Sequence, residues 1–94
     1  MKNINFKVLN EGFKKQKYYA LVKASVEEKD SYFVLVKDED LIIQGVGYDL
    51  IRGEKIYRML LRGEVSSIHA DEVVRDLQNE IFAWSYLLFA HFMI

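Results

Sequence analysis

The 94 residues include no cysteine and no proline. Without cysteine there is no disulfide framework, no thiolate metal site and no cysteine nucleophile. That absence fits a cytoplasmic protein. Without proline, no turn or helix end is set by a pyrrolidine ring. An excess of either charge is missing too: the formal net charge is -1. Binding to nucleic acid by general coating needs many phosphate contacts, and a balance this even argues against it. The opening MKNINFKVLN has no continuous apolar stretch, so a secretory signal is not expected there.

What is present is apolar. Hydrophobic residues make up 51% of the chain, which predicts one folded domain. The charges that exist are segregated. Residues 1–23 hold six lysines against the single acid Glu11, and residues 27–40 hold six acids against two lysines.

Ile4, Phe6 and Val8 alternate with Asn3, Asn5 and Lys7. Period two predicts a strand with one buried and one wet face. Asn10-Glu11-Gly12 carries turn chemistry. Residues 17–26 read as a second strand, with Tyr18, Ala20, Val22, Ala24 and Val26 on one side. Tyr19, Leu21, Lys23 and Ser25 form its more mixed, outer side. A polar turn at 27–31 leads to a strand at 32–37, rich in aromatic and β-branched types. Asp38-Glu39-Asp40 breaks it, and 41–46 is a fourth strand. Breaks this short favour antiparallel pairing.

The period then lengthens. Ile56, Met59 and Leu60 recur at helical spacing, which places a helix at 50–62. Asp49 is its cap, Gly53 weakens its start and Gly63 is its stop. A second helix, 66–93, starts at Ser66 or Ser67. Asp71 and Glu72 in its first turn favour the helix dipole, and Asp71 pairs with Arg75 four residues on. Its stripe Val73, Val74, Leu77, Ile81, Trp84, Leu88 widens after Ile81 until every side is apolar. The expected fold is α+β: an antiparallel sheet of three to four strands within 1–47, then two helices, the last long and strongly apolar.

The segment IFAWSYLLFAHFMI, residues 81–94, is interrupted only by Ser85 and His91. A helix from 68 to 92 would be roughly 37 Å long, while four paired strands are about 19 Å across. Part of the helix must overhang the sheet, and leaving half a dozen large apolar side chains wet forgoes on the order of 10 kcal/mol. Four covers are open: the same chain folded back, a second copy, a different protein, or a membrane. A homodimer is the first expectation, with Phe82, Trp84, Tyr86, Phe89 and Phe92 as interface anchors. Fourteen residues fall short of the ~20 that span a bilayer, and no basic flank marks an interfacial anchor.

The chemistry-bearing residues do not form a reactive set. Ser67, His69 and Asp71 sit two apart, and such neighbours on a helix diverge, whereas a nucleophile triad needs a hydrogen-bonded chain. Cap and first-turn roles suit them better. Asp38-Glu39-Asp40 lacks the alternating oxygen ligands of a calcium loop, and His69 and His91 are too far apart for a helical metal pair. Gly45-Val46-Gly47 between strand and helix resembles the start of a dinucleotide turn, but Leu50 stands where the third glycine is needed. A bulge or strand end is the better reading. FKKQKYY, residues 13–19, offers Lys14, Lys15 and Lys17 beside two tyrosines, a possible nucleic-acid patch. Edge lysines that block strand aggregation are the alternative. No catalytic, metal or cofactor residue is assigned.

Residues 44–77 resemble the C-terminal half of a family of short uncharacterised bacterial proteins, whose domain closes on a segment of the type V-[ST]-P-[IV]-H-L-x-D-V-[IV]-E-D-F. Val65, Ser66, Ile68, His69, Val73, Val74 and Asp76 match it. Ser67 replaces the proline, Ala70 the leucine, Glu72 the aspartate, and Arg75 and Leu77 the Glu and Phe. The apolar segment after residue 80 departs from that family's pattern. The resemblance implies architecture alone: a strand, a helix, then a second helix whose start at Ser66 and Ser67 is kept for the fold. Size, the absent catalytic set and the apolar segment together lead to a non-enzymatic protein-protein interaction module, oligomeric. One concrete version is a small regulator, or a phage or mobile-element inhibitor of a larger host enzyme. The alternatives are a nucleic-acid binder using the 13–19 hairpin and a membrane-surface protein.

Overall fold

The computed structural model describes residues 4–79. Four strands, β1 (Ile4–Lys14), β2 (Lys17–Val26), β3 (Lys29–Lys37) and β4 (Leu41–Gly47), form one antiparallel meander in the order β1-β2-β3-β4. Helix α1 (Leu50–Arg62) follows, then a second helical run over 67–79, here α2. This is the expected α+β order of sheet, then helices.

Two turns form without the usual residues. Lys15 and Gln16 join β1 to β2, and Glu27 and Glu28 join β2 to β3; all four have positive φ. Two consecutive left-handed residues give the tight hairpin whose twist matches the strands, a conformation that normally selects Asn-Gly. Asn10-Glu11-Gly12, expected as a turn, lies inside β1 instead. The irregularity there is a bulge, with Leu9 as the extra residue between the Val8–Val22 and Asn10–Leu21 pairs. Gly12 has a packing role: a Cβ on it would meet Leu61 and the Tyr57 hydroxyl at 3.3 Å. The expected bulge at Gly45-Val46-Gly47 is present, because Tyr32 pairs with Gly47 while Phe33 pairs with Gly45.

Helix α1 begins where its sequence signal lies. The Asp49 carboxylate accepts from the Ile51 amide at 3.0 Å. Gly53 is buried in its first turn, where a Cβ would touch Leu21 and Val46 at 3.4 Å, so this glycine brings the helix close to the sheet. The far end also falls where expected, after Arg62 with Gly63 as the C-cap, though not by a left-handed glycine. Gly63 keeps a right-handed φ of -80, and Glu64 is the residue that turns left-handed, at φ 52. The Val65 amide donates to the Leu60 carbonyl and the Glu64 amide to that of Leu61, each at 3.2 Å. These are the two bonds of a Schellman stop, and Val65 packs on the core beside Leu60.

The core lies between one sheet face and the helices. Tyr19, Leu21, Val34, Val36 and Val46 meet Ile56, Tyr57 and Leu60 of α1 and Ala70 and Val74 of α2. The side of β2 expected to be outer is therefore the buried one. Ile4, Phe6 and Val8, expected to be buried, are exposed.

Candidate interaction surface

Residues directly paired across strands point to the same face. The side away from the helices carries Phe13, Tyr18, Lys37 and Leu41 in one row, then Glu11, Ala20, Leu35 and Ile43, then Val8, Val22, Phe33 and Gly45. Beyond these lie Phe6, Ala24 and Ser31, and last Ile4, Val26 and Lys29. Most of these side chains are apolar, and several large ones are wet: Phe6 is 71% exposed, Phe13 77% and Ile43 59%, while Tyr18, Phe33 and Leu35 are half-buried. Tyr18 and Phe13 stack at 4.9 Å between ring centroids, and the Tyr18 hydroxyl donates to the Glu11 carboxylate. That bond, with burial next, raises the Tyr18 pKa.

The helix side offers an internal comparison. Where α1 and α2 cover it, its residues are apolar. At the end the core does not include, its residues are Asn5, Lys7, Lys23 and Ser25. Water on that side is met by polar residues, while the opposite face is mostly apolar, with Glu11, Lys37, Ser31 and Lys29 as its polar positions. A four-strand face about 19 Å wide and some 26 Å long has a footprint on the order of 500 Å², whereas scattered single apolar residues are ordinary on a monomer.

The three hairpin lysines converge on the end of α1. The Lys15 ammonium lies 3.0 Å and that of Lys14 3.8 Å from the Glu64 carboxylate, and the Lys17 ammonium donates to the Glu64 carbonyl at 3.0 Å. The Lys15 hydrogen bond holds the Glu64 carboxyl below its ordinary pKa; desolvation, next in size, opposes it, and the charges of the three lysines add to the lowering. Lys17 also gives a cation to the carbonyl end of the helix dipole. The proposed nucleic-acid patch is thus tied to an acid of its own chain.

Asp38 was not legible as a capping residue, since its partner is 29 positions away. Its carboxylate accepts from the Ser67 amide at 2.8 Å and from the Ser67 hydroxyl at 2.5 Å, so the β3–β4 turn caps α2. Those bonds lower its pKa to about 2. The Ser67 hydroxyl is committed to Asp38; His69 is exposed, and Asp71 reaches Arg75 at 3.6 Å. A shallow cleft of about 520 Å³ separates the two turns and the start of α2, lined among others by Lys15, Lys17, Asp38 and Ser67. Among the described residues, no three His, Asp or Glu side chains gather as metal ligands. No helix there is long and apolar enough to cross a membrane.

Phe82, Trp84, Tyr86, Phe89 and Phe92 lie outside the described residues. Sequence reading missed the open sheet face as a surface. The signal was present in the fully apolar set Tyr18, Ala20, Val22, Ala24, Val26, but that set reads equally well as core.

Among the described residues, fold and surface define a two-layer α+β domain with one mostly apolar sheet face that no described helix covers. Compared with protein-family models, with curated proteins and with solved structures, the chain matches none. The resemblance of residues 44–77 to the short bacterial family rests on its motif alone.

Proposed function

We propose that this chain is a non-enzymatic protein-binding module that works as an oligomer, with the open sheet face as its contact surface. The observation that carries the reading is the contrast between the two faces: polar where the helix side is left wet, mostly apolar on the side that no described helix covers. Burial of one large apolar side chain contributes roughly 1.5–3 kcal/mol, so a face of this kind strongly favours a cover. The long, strongly apolar last helix expected from the sequence belongs to the same reading, since it supplies a second surface of matching character. A cysteine-free chain suits the cytoplasm. A small regulator that docks on a larger enzyme is one form such a module can take.

The test introduces charge on the open face. Phe6→Lys with Ile43→Lys changes two side chains that are already exposed in the single chain, so circular dichroism should still report a folded protein. Light scattering after size exclusion should give more than one chain for the wild type and one chain for the variant. A wild type that is one chain at every concentration, with no protein retained from a native lysate, removes the reading.

A further inference from the structure

We infer that two copies of this chain close into one eight-stranded barrel, β1 of each pairing with β4 of the other, with the open sheet faces inside and the helices outside; this rests on the reading above, which makes the open face an oligomer contact. The exposure pattern points sideways along the sheet. Ala20 and Ala24, in the middle of the face, are buried, whereas Ile4, Phe6 and Val8 on β1 and Leu41 and Ile43 on β4 are each at least half exposed. Those five lie on the two edge strands, so what they lack is a neighbouring strand. A solitary edge is normally guarded by charge, yet β4 has no charged residue from Leu41 to Gly47.

The two edges fit each other. In the meander β1 and β4 run in opposite directions. A half-turn about the barrel axis preserves strand direction, so β1 of one copy meets β4 of the other antiparallel. Their irregularities set the register. β1 is regular from Ile4 to Val8, up to its bulge at Leu9, and β4 from Leu41 to Gly45, up to its bulge at Val46. Laid antiparallel, these equal stretches bring Ile4, Phe6 and Val8 opposite Gly45, Ile43 and Leu41 on the inner side. On the outer side Asn5 meets Gln44 and Lys7 meets Ile42. Ile42 borders a shallow cavity with Asp40, Ile68 and Asp71, so Lys7 arrives beside two acids. Pairing the same stretch of β1 with its own copy sets two Lys7 side chains diagonally across one seam, which like charges disfavour. Pairing β4 with its own copy brings those acids no new cation.

The register also closes the ring. Paired residues lead from Phe13 on β1 to Leu41 on β4, then from Val8 to Gly45 of the second copy, and back to Ile4 on the first strand. The slip from Phe13 to Ile4 is nine positions, or eight with the bulged Leu9 set aside. Eight strands with a shear of about 8 form a closed barrel whose interior is just wide enough for side chains to fill. Small residues among large ones suit such an interior, and Ala20, Ala24 and Gly45 stand among Phe33, Leu35 and Ile43. Lys29 and Lys37 end β3 and so fall at the mouths, while Glu11 already accepts the Tyr18 hydroxyl.

The absence of cysteine permits a direct test on the full chain. Directly opposed residues have Cα atoms about 4.5–5.5 Å apart, within disulfide reach. Asn5→Cys with Gln44→Cys is oxidised mildly and its products are weighed. The expected product is two chains joined by two 5–44 links with no free thiol, while each single variant forms no cross-link. If that variant does not fold, Phe6→Cys with Ile43→Cys, the adjacent inner pair, repeats the test. A ladder of longer products with free thiols at the ends overturns the closed ring. A dimer from either single variant overturns the β1–β4 seam, as does a product of single-chain mass, linked or not. The reading above is judged separately, from the wild-type mass. More than one chain, lost in Phe6→Lys with Ile43→Lys, keeps the open face as a contact even without the 5–44 links; one chain at every concentration overturns the barrel as well.

Discussion

The β2–β3 turn should be stabilised by residues it does not have. Glu27 and Glu28 hold φ of 51 and 67, where an L side chain costs roughly 1–2 kcal/mol per residue. Glu28→Gly relieves that strain but adds about 0.5–1 kcal/mol of backbone entropy to the unfolded chain. Glu27→Asn relieves part of it, since asparagine tolerates the left-handed region. Together the gain should be about 1–1.5 kcal/mol, and for a domain of this size Tm should rise by about 5–10 °C. Urea unfolding followed by circular dichroism, at fixed protein concentration, measures it. High salt screens the contribution of the two removed charges. The β1–β2 turn is the control. Lys15→Asn with Gln16→Gly relieves the same geometry but removes the Lys15–Glu64 contact at 3.0 Å, so its gain should be smaller. A double variant at 27–28 that stays within about 0.5 kcal/mol of the parent, the range of ordinary surface changes, would refute the argument that these turns store strain.

Two further outcomes follow from the buried contacts. Tyr19 is fully buried and its hydroxyl donates to the Val65 carbonyl at 2.7 Å, so Tyr19→Phe should destabilise by about 1–3 kcal/mol; an unchanged urea midpoint would mean that the carbonyl is satisfied by water. The hydrogen bonds from Ser67 lower the Asp38 carboxyl from its ordinary 3.8 to about 2 in the folded chain. A depressed folded pKa makes its contribution complete above pH ~4 and lost as pH falls toward ~2, so acid unfolding of Asp38→Asn should show a shallower slope in that window, and a slope identical to wild type would sink the capping role.

Much of the architecture was legible before any coordinates. The aromatic and β-branched run at 32–37, the acidic break at Asp38-Glu39-Asp40 and the Asp49 cap are local signals, and local signals survive folding. The failures are equally physical. The polar run 27–31 and the lysine hairpin at 13–19 marked both turns, but Lys15-Gln16 and Glu27-Glu28 have no left-handed propensity to fix the two turn residues, while Asn10-Glu11-Gly12 has the propensity but sits where a bulge and a helix contact use it otherwise. Period two identified both sides of β2 correctly but could not say which meets the helices. Lys23 and Ser25 made the Tyr19–Leu21 side look wet, yet they lie beyond the described core. The partnership of Asp38 with Ser67 joins residues far apart in sequence, and no period records it.

Every strand of this sheet pairs with the strand made just before it. Such neighbour-only pairing closes short loops and needs no distant segment. During synthesis, at about 5–20 residues per second, the four strands are all available once residue 47 has emerged. The helices that cover one face come next. The nascent chain therefore passes through a stage in which the four strands are complete and neither face of the sheet has yet met a helix.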